Sequence, residues 1–163
     1  MQLFVLDRVP ECAARMLCDV HIIKMCLECG QILSAVAVRQ NLPLAPGMPG
    51  IYNINHPVIT ALNSRFKINW TLRHNSALHK EFAFRFGKAH AYGALAALYR
   101  EMLFAPGDVP EDWSFARNFS GLDIAKADIV DAYREYYRFK KSVISNWHYS
   151  RRSEPRWLNE NSG

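Results

Sequence analysis

Apolar residues along this chain recur at intervals of three and four over long stretches, the spacing of a helix face, and two-residue alternation is missing outside one short run. That run, Leu3-Phe4-Val5-Leu6, reads as a buried, extended lead-in. Asp7 and Pro10 follow in the positions of a cap and a first-turn residue. The spacing then predicts helix from Pro10 to about Arg39, with a break near Cys18-Asp19. It ends at residues 41–50, where three prolines and two glycines stop any helix.

A second helical stretch runs from Pro57 to about Phe86 and carries Ile59, Leu62, Phe66 and Trp70 on one face. It is long enough for two helices, with a kink expected at His74-Asn75-Ser76-Ala77-Leu78-His79. A third, alanine-rich stretch covers Ala89 to Leu103, and the prolines and glycine of residues 105–110 turn the chain. An irregular part around Trp113 and Phe119 leads to a last long helix from about Ile124 to Trp147. No internal repeat or low-complexity tract interrupts this order. The expected fold class is therefore all-α: one compact helical bundle over residues 1–163, with a flexible tail in about the last six residues.

With 50% hydrophobic and 21% charged residues, a chain of 163 residues can build a substantial core and is not a disordered segment. Its net charge of +5 and pI near 9.1 are mild signs of a polyanionic partner. The opening residues lack the cationic start and apolar run of a secretory signal, and no stretch has the ~18 uninterrupted apolar residues of a membrane span. A cytoplasmic protein, of a bacterial or phage-infected cell, with no membrane partner and a monomeric state is expected. Cys12, Cys18, Cys26 and Cys29 all fall in helix-patterned sequence and read as reduced core thiols. There is neither a phosphate-cradling glycine loop nor a dinucleotide fingerprint, so no cofactor is expected.

Chemistry enters through a polar stripe in the first long helix. His21, Lys24, Glu28 and Gln31 stand at spacings of three, four and three and share one face, while Val20, Ile22, Ile23, Met25, Leu27, Ile32 and Leu33 occupy most of the rest. A lysine and a glutamate there must reach water, pair, or line a cleft, since burying an unpaired charge costs too much. One reading makes the stripe the solvated side of an amphipathic helix, its Lys24–Glu28 pair worth about 0.2–0.5 kcal/mol. The other makes it a cleft, with Lys24 as an amine nucleophile at a sugar C1′ and Glu28 and His21 moving protons.

Metal-like spacing also occurs, in Cys18-x-x-His21 and Cys26-x-x-Cys29. On one continuous helix the outer members lie about 16 Å apart, too far to share one zinc, so no metal site is expected. Asn55-His56-Pro57 closes a loop and opens a helix, which sets His56 either as an ordinary cap or beside free N–H groups suited to a phosphate. Lys88 and His90 follow a helix end at Gly87, where cations have structural as well as functional reasons to sit.

The last third mixes cations and rings. Arg134, Arg138, Lys140, Lys141, Arg151, Arg152 and Arg156 face only Glu135 and Glu154, and Tyr133, Tyr136, Tyr137, Phe139, Trp147, Tyr149 and Trp157 interleave them. Cations can meet phosphates and rings can stack on unpaired bases. Tyr133, Tyr137 and Trp147 have an equal claim to the core.

In its order of elements the chain resembles the pyrimidine-dimer DNA glycosylases of the phage endonuclease V type. The matching parts are Leu3–Leu6 followed by PECAARML and its polar-striped helix, the helix opening at His56-Pro57, and the ending with Tyr136-Tyr137 and Pro155-Arg156-Trp157. It also resembles phage-associated proteins with a VLD-x-x-P…CD-x-H-x-x-K-M-x-x-E opening. The first resemblance implies an all-helical enzyme in which an amine forms a Schiff base with deoxyribose and a carboxylate assists. That family uses the amine of an N-terminal threonine, whereas here Met1 precedes the bulky Gln2, and Ile23 stands where the catalytic glutamate aligns. Lys24 or the Met1 amine would take the nucleophile's place, and Glu28 or Asp19 the carboxylate's.

The function expected is a DNA-acting enzyme that breaks an N-glycosidic bond by amine catalysis or modifies a pyrimidine base. Double-stranded DNA with an extruded base is the expected partner. Catalysis is assigned to His21, Lys24, Glu28 and Asp19, and the DNA grip to Asn55, His56, Lys88, His90, Arg138, Lys141, Arg151, Arg152, Arg156 and Trp157. The alternative is a non-catalytic nucleic-acid- or protein-binding module.

Overall fold

The computed structural model describes residues 1–51 and 53–159. Six α-helices follow in order: α1 (Pro10–Arg15), α2 (Asp19–Arg39), α3 (Pro57–Thr60), α4 (Arg65–Phe86), α5 (Leu95–Leu103) and α6 (Ile129–Val143), then a 3-10 turn at Arg156–Leu158. Among the described residues there is no strand, so the architecture is an all-α bundle. Of the stretch expected as a flexible tail, Leu158 is buried in the 3-10 turn, and residues 160–163 lie outside the described residues.

The break expected near Cys18-Asp19 separates α1 from α2, and its exposed ends are bonded from elsewhere in the chain. Arg85 of α4 donates to the carbonyls of Arg15 and Leu17, at 3.0 and 2.7 Å. The N–H of Cys18 goes to the Tyr137 hydroxyl and that of Asp19 to the His148 carbonyl, both at 2.8 Å. Four backbone groups that would otherwise be orphaned at a helix junction are thereby satisfied. Asp7 does not cap α1. Val9 is the N-cap residue, and Asp7 instead accepts the Val9 N–H at 2.8 Å, a local turn just ahead of the helix.

The Pro57 stretch does divide in two, but between Ala61 and Ser64 rather than at residues 74–79, which run unbroken inside α4. Ser64 accepts the Lys67 N–H and so favours a fresh start there, and Gly87 in the left-handed region (φ +68°) closes the helix. Two other bounds tighten. Helix α5 begins at Leu95 and not Ala89, and α6 begins at Ile129 and not Ile124, because Asp128 accepts the N–H groups of Val130 and Asp131.

Helix α4 is the hub, packed against α1, α2 and α5, while α2 also meets α3 and α5. The lead-in is wholly buried from Leu3 to Leu6 and Phe4 touches the rings of His21, Tyr136 and Tyr137, so the N-terminus is threaded beneath α6. Helix α2 is long and apolar enough to cross a bilayer, yet 67% of that stretch is buried in the protein, as in a core helix.

Candidate active site

The structure splits the polar stripe of α2. His21 is buried, its Nδ1 2.9 Å from the Tyr137 hydroxyl and its ring between Phe4 and Trp147. Burial, with Lys24 and Lys140 adding to it, pushes its pKa down to about 3, so at neutral pH it is a neutral core ring tied to α6. That position withdraws His21 from the proposed acid/base pair. Asp19 is also withdrawn: its carboxylate accepts from Arg85, from the Ser150 hydroxyl at 2.7 Å and from the Ser150 N–H. Burial alone would raise its pKa, but the Ser150 and Arg85 bonds outweigh it and hold the group ionised.

Lys24 and Glu28 remain together. The ammonium is 3.2 Å from Glu28 Oε1, with the lysine side chain 55% exposed and the glutamate 17%. Lys24 thus stands half in water, outside the sheltered cleft expected for it. Glu28 is the unusual partner, because its second oxygen, Oε2, is buried without a hydrogen-bond partner among the described residues. A buried carboxylate oxygen left unpaired costs of the order of 1–3 kcal/mol, and groups left that way in a folded protein are often functional.

His56 connects this carboxylate to the chain's first residue. It caps α3 by accepting the Val58 N–H at Nδ1, 3.2 Å away, and its Nε2 lies 3.4 Å from the Asn118 amide. With Nδ1 accepting, the ring proton belongs on Nε2, and the Asn118 Nδ2 that faces it at 3.4 Å would have to exchange places with its oxygen to accept that proton. Its pKa is lowered by burial first and by the Met1 α-amine second, against an upward pull from Glu28. The N-terminal amine and Glu28 thus both act electrostatically on His56. Sequence spacing gave no hint of this, since the amine arrives through the buried lead-in and Gln2 anchors it by donating to the Asn118 carbonyl.

The remaining residues of the expected DNA grip are dispersed. Asn55 is exposed, its N–H bonded to Asn53, and His56 is the ordinary cap of a four-residue helix. Arg152 clamps Glu81 through two bonds of 2.8 and 2.9 Å. Arg151 donates to the Phe84 carbonyl, Arg138 to Trp157 and Glu135, and Lys141 to Asn159 and Glu154. Trp157 is half-buried under Arg134 and Arg138, and Tyr133, Tyr136 and Tyr137 are core. The aromatic-basic segment is thus largely engaged in holding α6 and the C-terminal arm to the bundle. Lys88 and Arg156 stay exposed.

Four structural residues had been overlooked. Arg85, Glu81 and Lys67 are buried charges, the last 3.1 Å from Asp112, and His79 is buried beside His90. Their only signal in sequence is a charged or polar residue on the apolar face of α4. The paired spacing of Cys18 with His21 and Cys26 with Cys29 builds no shared site, because the Cys29 thiol turns to the Thr71 carbonyl and Cys18 to His21.

No family model matches the chain, and no curated protein or solved structure is significantly similar to it.

Proposed function

We propose that this chain is a DNA-acting enzyme that breaks or remodels a pyrimidine–deoxyribose bond by amine catalysis, with Glu28 as the proton carrier. One observation carries the proposal: a carboxylate with a buried oxygen that has no partner among the described residues, its other oxygen 3.2 Å from the Lys24 ammonium. In the step envisaged, a neutral amine attacks C1′ as the glycosidic bond breaks. One amine proton passes through Glu28 to the ring oxygen O4′ as the sugar opens to a protonated Schiff base. The departing pyrimidine keeps the bonding pair and is protonated from solvent. The net charge of +5 favours approach to DNA, and the exposed Lys88 and Arg156 are available to phosphates.

The half-wet setting of Lys24 favours a second reading, in which the same face is a non-catalytic binding surface. Borohydride reduction of the protein on duplex DNA with an abasic site or a damaged pyrimidine separates the two. Catalysis predicts a covalent adduct that Glu28→Gln lowers by roughly 10²–10⁴-fold in rate. Loss in Lys24→Ala assigns the nucleophile to Lys24, and loss only on acetylation of the N-terminus assigns it to Met1. Salt-dependent DNA binding with no adduct on any substrate overturns amine catalysis and leaves a base-modifying enzyme or a binding module.

A further inference from the structure

On the side of α2 turned away from Lys24, three donor side chains converge between α2, α4 and the chain leading into α5. One donor atom each from Cys26, His79 and His90 lies within 4.8 Å of the other two. We propose that Cys26, His79 and His90 form a binding site for one transition-metal ion of the zinc class.

The donor set is a thiolate and two imidazoles, which zinc and cobalt prefer over the hard cations that seek carboxylates. Independent support comes from His79, which is 9% exposed while its Nδ1 is buried with no hydrogen-bond partner among the described residues. A buried ring nitrogen without a bond is costly unless something takes its lone pair or proton. The His90 Nδ1 accepts the Tyr92 N–H through a long bond of 3.3 Å. Coordination through Nδ1 replaces that bond, and coordination through Nε2 requires the ring proton to shift to Nδ1, so in either case the metal displaces only a weak contact. Gly93 keeps the space beside them open, since a Cβ there would sit 3.9 Å from His79 Nδ1 and 3.1 Å from the His90 carbonyl.

A tetrahedral zinc site places its ligand atoms roughly 3.3–3.7 Å apart, so the three must draw in by about an ångström. Cys26 and His79 are fixed on packed helices, whereas His90 lies outside helix between Gly87 and α5 and is half-buried, so it is the ligand able to close. Binding replaces the Cys26 S–H bond with a sulfur–metal bond and releases one proton to solvent. A divalent ion with one thiolate and two neutral imidazoles keeps one positive charge and a fourth coordination position, which water or an anion fills on the solvent side of His90.

The test uses the full chain stripped with a chelator and titrated with Co²⁺, then with Zn²⁺. One equivalent of cobalt should give thiolate-to-cobalt charge transfer and the visible bands of a tetrahedral ion, and zinc should bleach both. Cys26→Ala should abolish the charge transfer. His90→Gln, at a half-exposed loop position where folding is least at risk, should weaken binding by 10-fold or more, while Cys29→Ala, outside the cluster, should leave it unchanged. Absence of a cobalt spectrum in the wild-type protein, or a spectrum that survives His90→Gln at full affinity, overturns the site.

Discussion

Two carboxylates nine residues apart on α2 meet opposite fates. Asp19 at the helix start is saturated: Arg85 and Ser150 meet it from two directions, and Arg85 and Arg152 converge in turn on Glu81. Glu28, two and a half turns on, has one oxygen against a half-exposed lysine and the other buried without a partner among the described residues. A carboxylate whose acceptor sites are all used holds elements together and has nothing left for a substrate. One with an acceptor site to spare keeps a place open for a ligand's donor.

The sharpest way to break this contrast is Arg85→Met, which strands Asp19 and Glu81 without their shared cation. A loss of about 3–5 kcal/mol in urea unfolding is expected. A loss under about 1 kcal/mol would mean that the knot is ornamental.

Acid should act next. His21 and His74 are lowered by burial to about 3 and about 4. Because the folded values lie below the unfolded ones, their contribution is complete above about pH 6.5 and is lost as pH falls toward the folded values. Asp19 and Glu81 are depressed as well, so theirs is kept above the ordinary carboxylate range and lost only below it. The unfolding free energy from urea titration should therefore fall by about 4 kcal/mol between pH 6.5 and 4.5, about 2 from each histidine, before the knot itself titrates. A flat profile across that window would contradict neutral buried histidines.

The third comparison sets the two glutamates side by side. Glu81→Gln should cost about 2 kcal/mol, since two arginines lose a charged partner in a buried place. Glu28→Gln should change stability by less than about 0.5 kcal/mol while removing the proton carrier. Equal costs would erase the distinction between them. Smallest of all, Lys24→Met should cost about 0.3 kcal/mol, the worth of an exposed i,i+4 pair, as read by thermal unfolding.

Helix order, the α1–α2 break and the buried lead-in were legible from apolar spacing and prolines, because those signals are local. Cap positions were less so: Asp128 set the start of α6 a few residues late, and Ser64 put the division of the Pro57 stretch about ten residues ahead of the expected kink, as short polar side chains do when tertiary packing chooses among several capping sites. The Lys24–Glu28 pair could be read as neighbours on one face. What could not be read was where the neighbours end. The Met1 amine, His56 and Glu28 lie far apart along the chain, as do Cys26, His79 and His90, and no periodicity links residues on different helices. The aromatic-basic ending misled for the same reason, since only packing shows that Arg152 and Arg138 already have partners.

The bonds from Asp19 to Ser150 span 131 positions of sequence. The first turn of α2 therefore gains its carboxylate lock only once residue 150 has folded back onto it, and a contact of such long range is of the kind that slows folding.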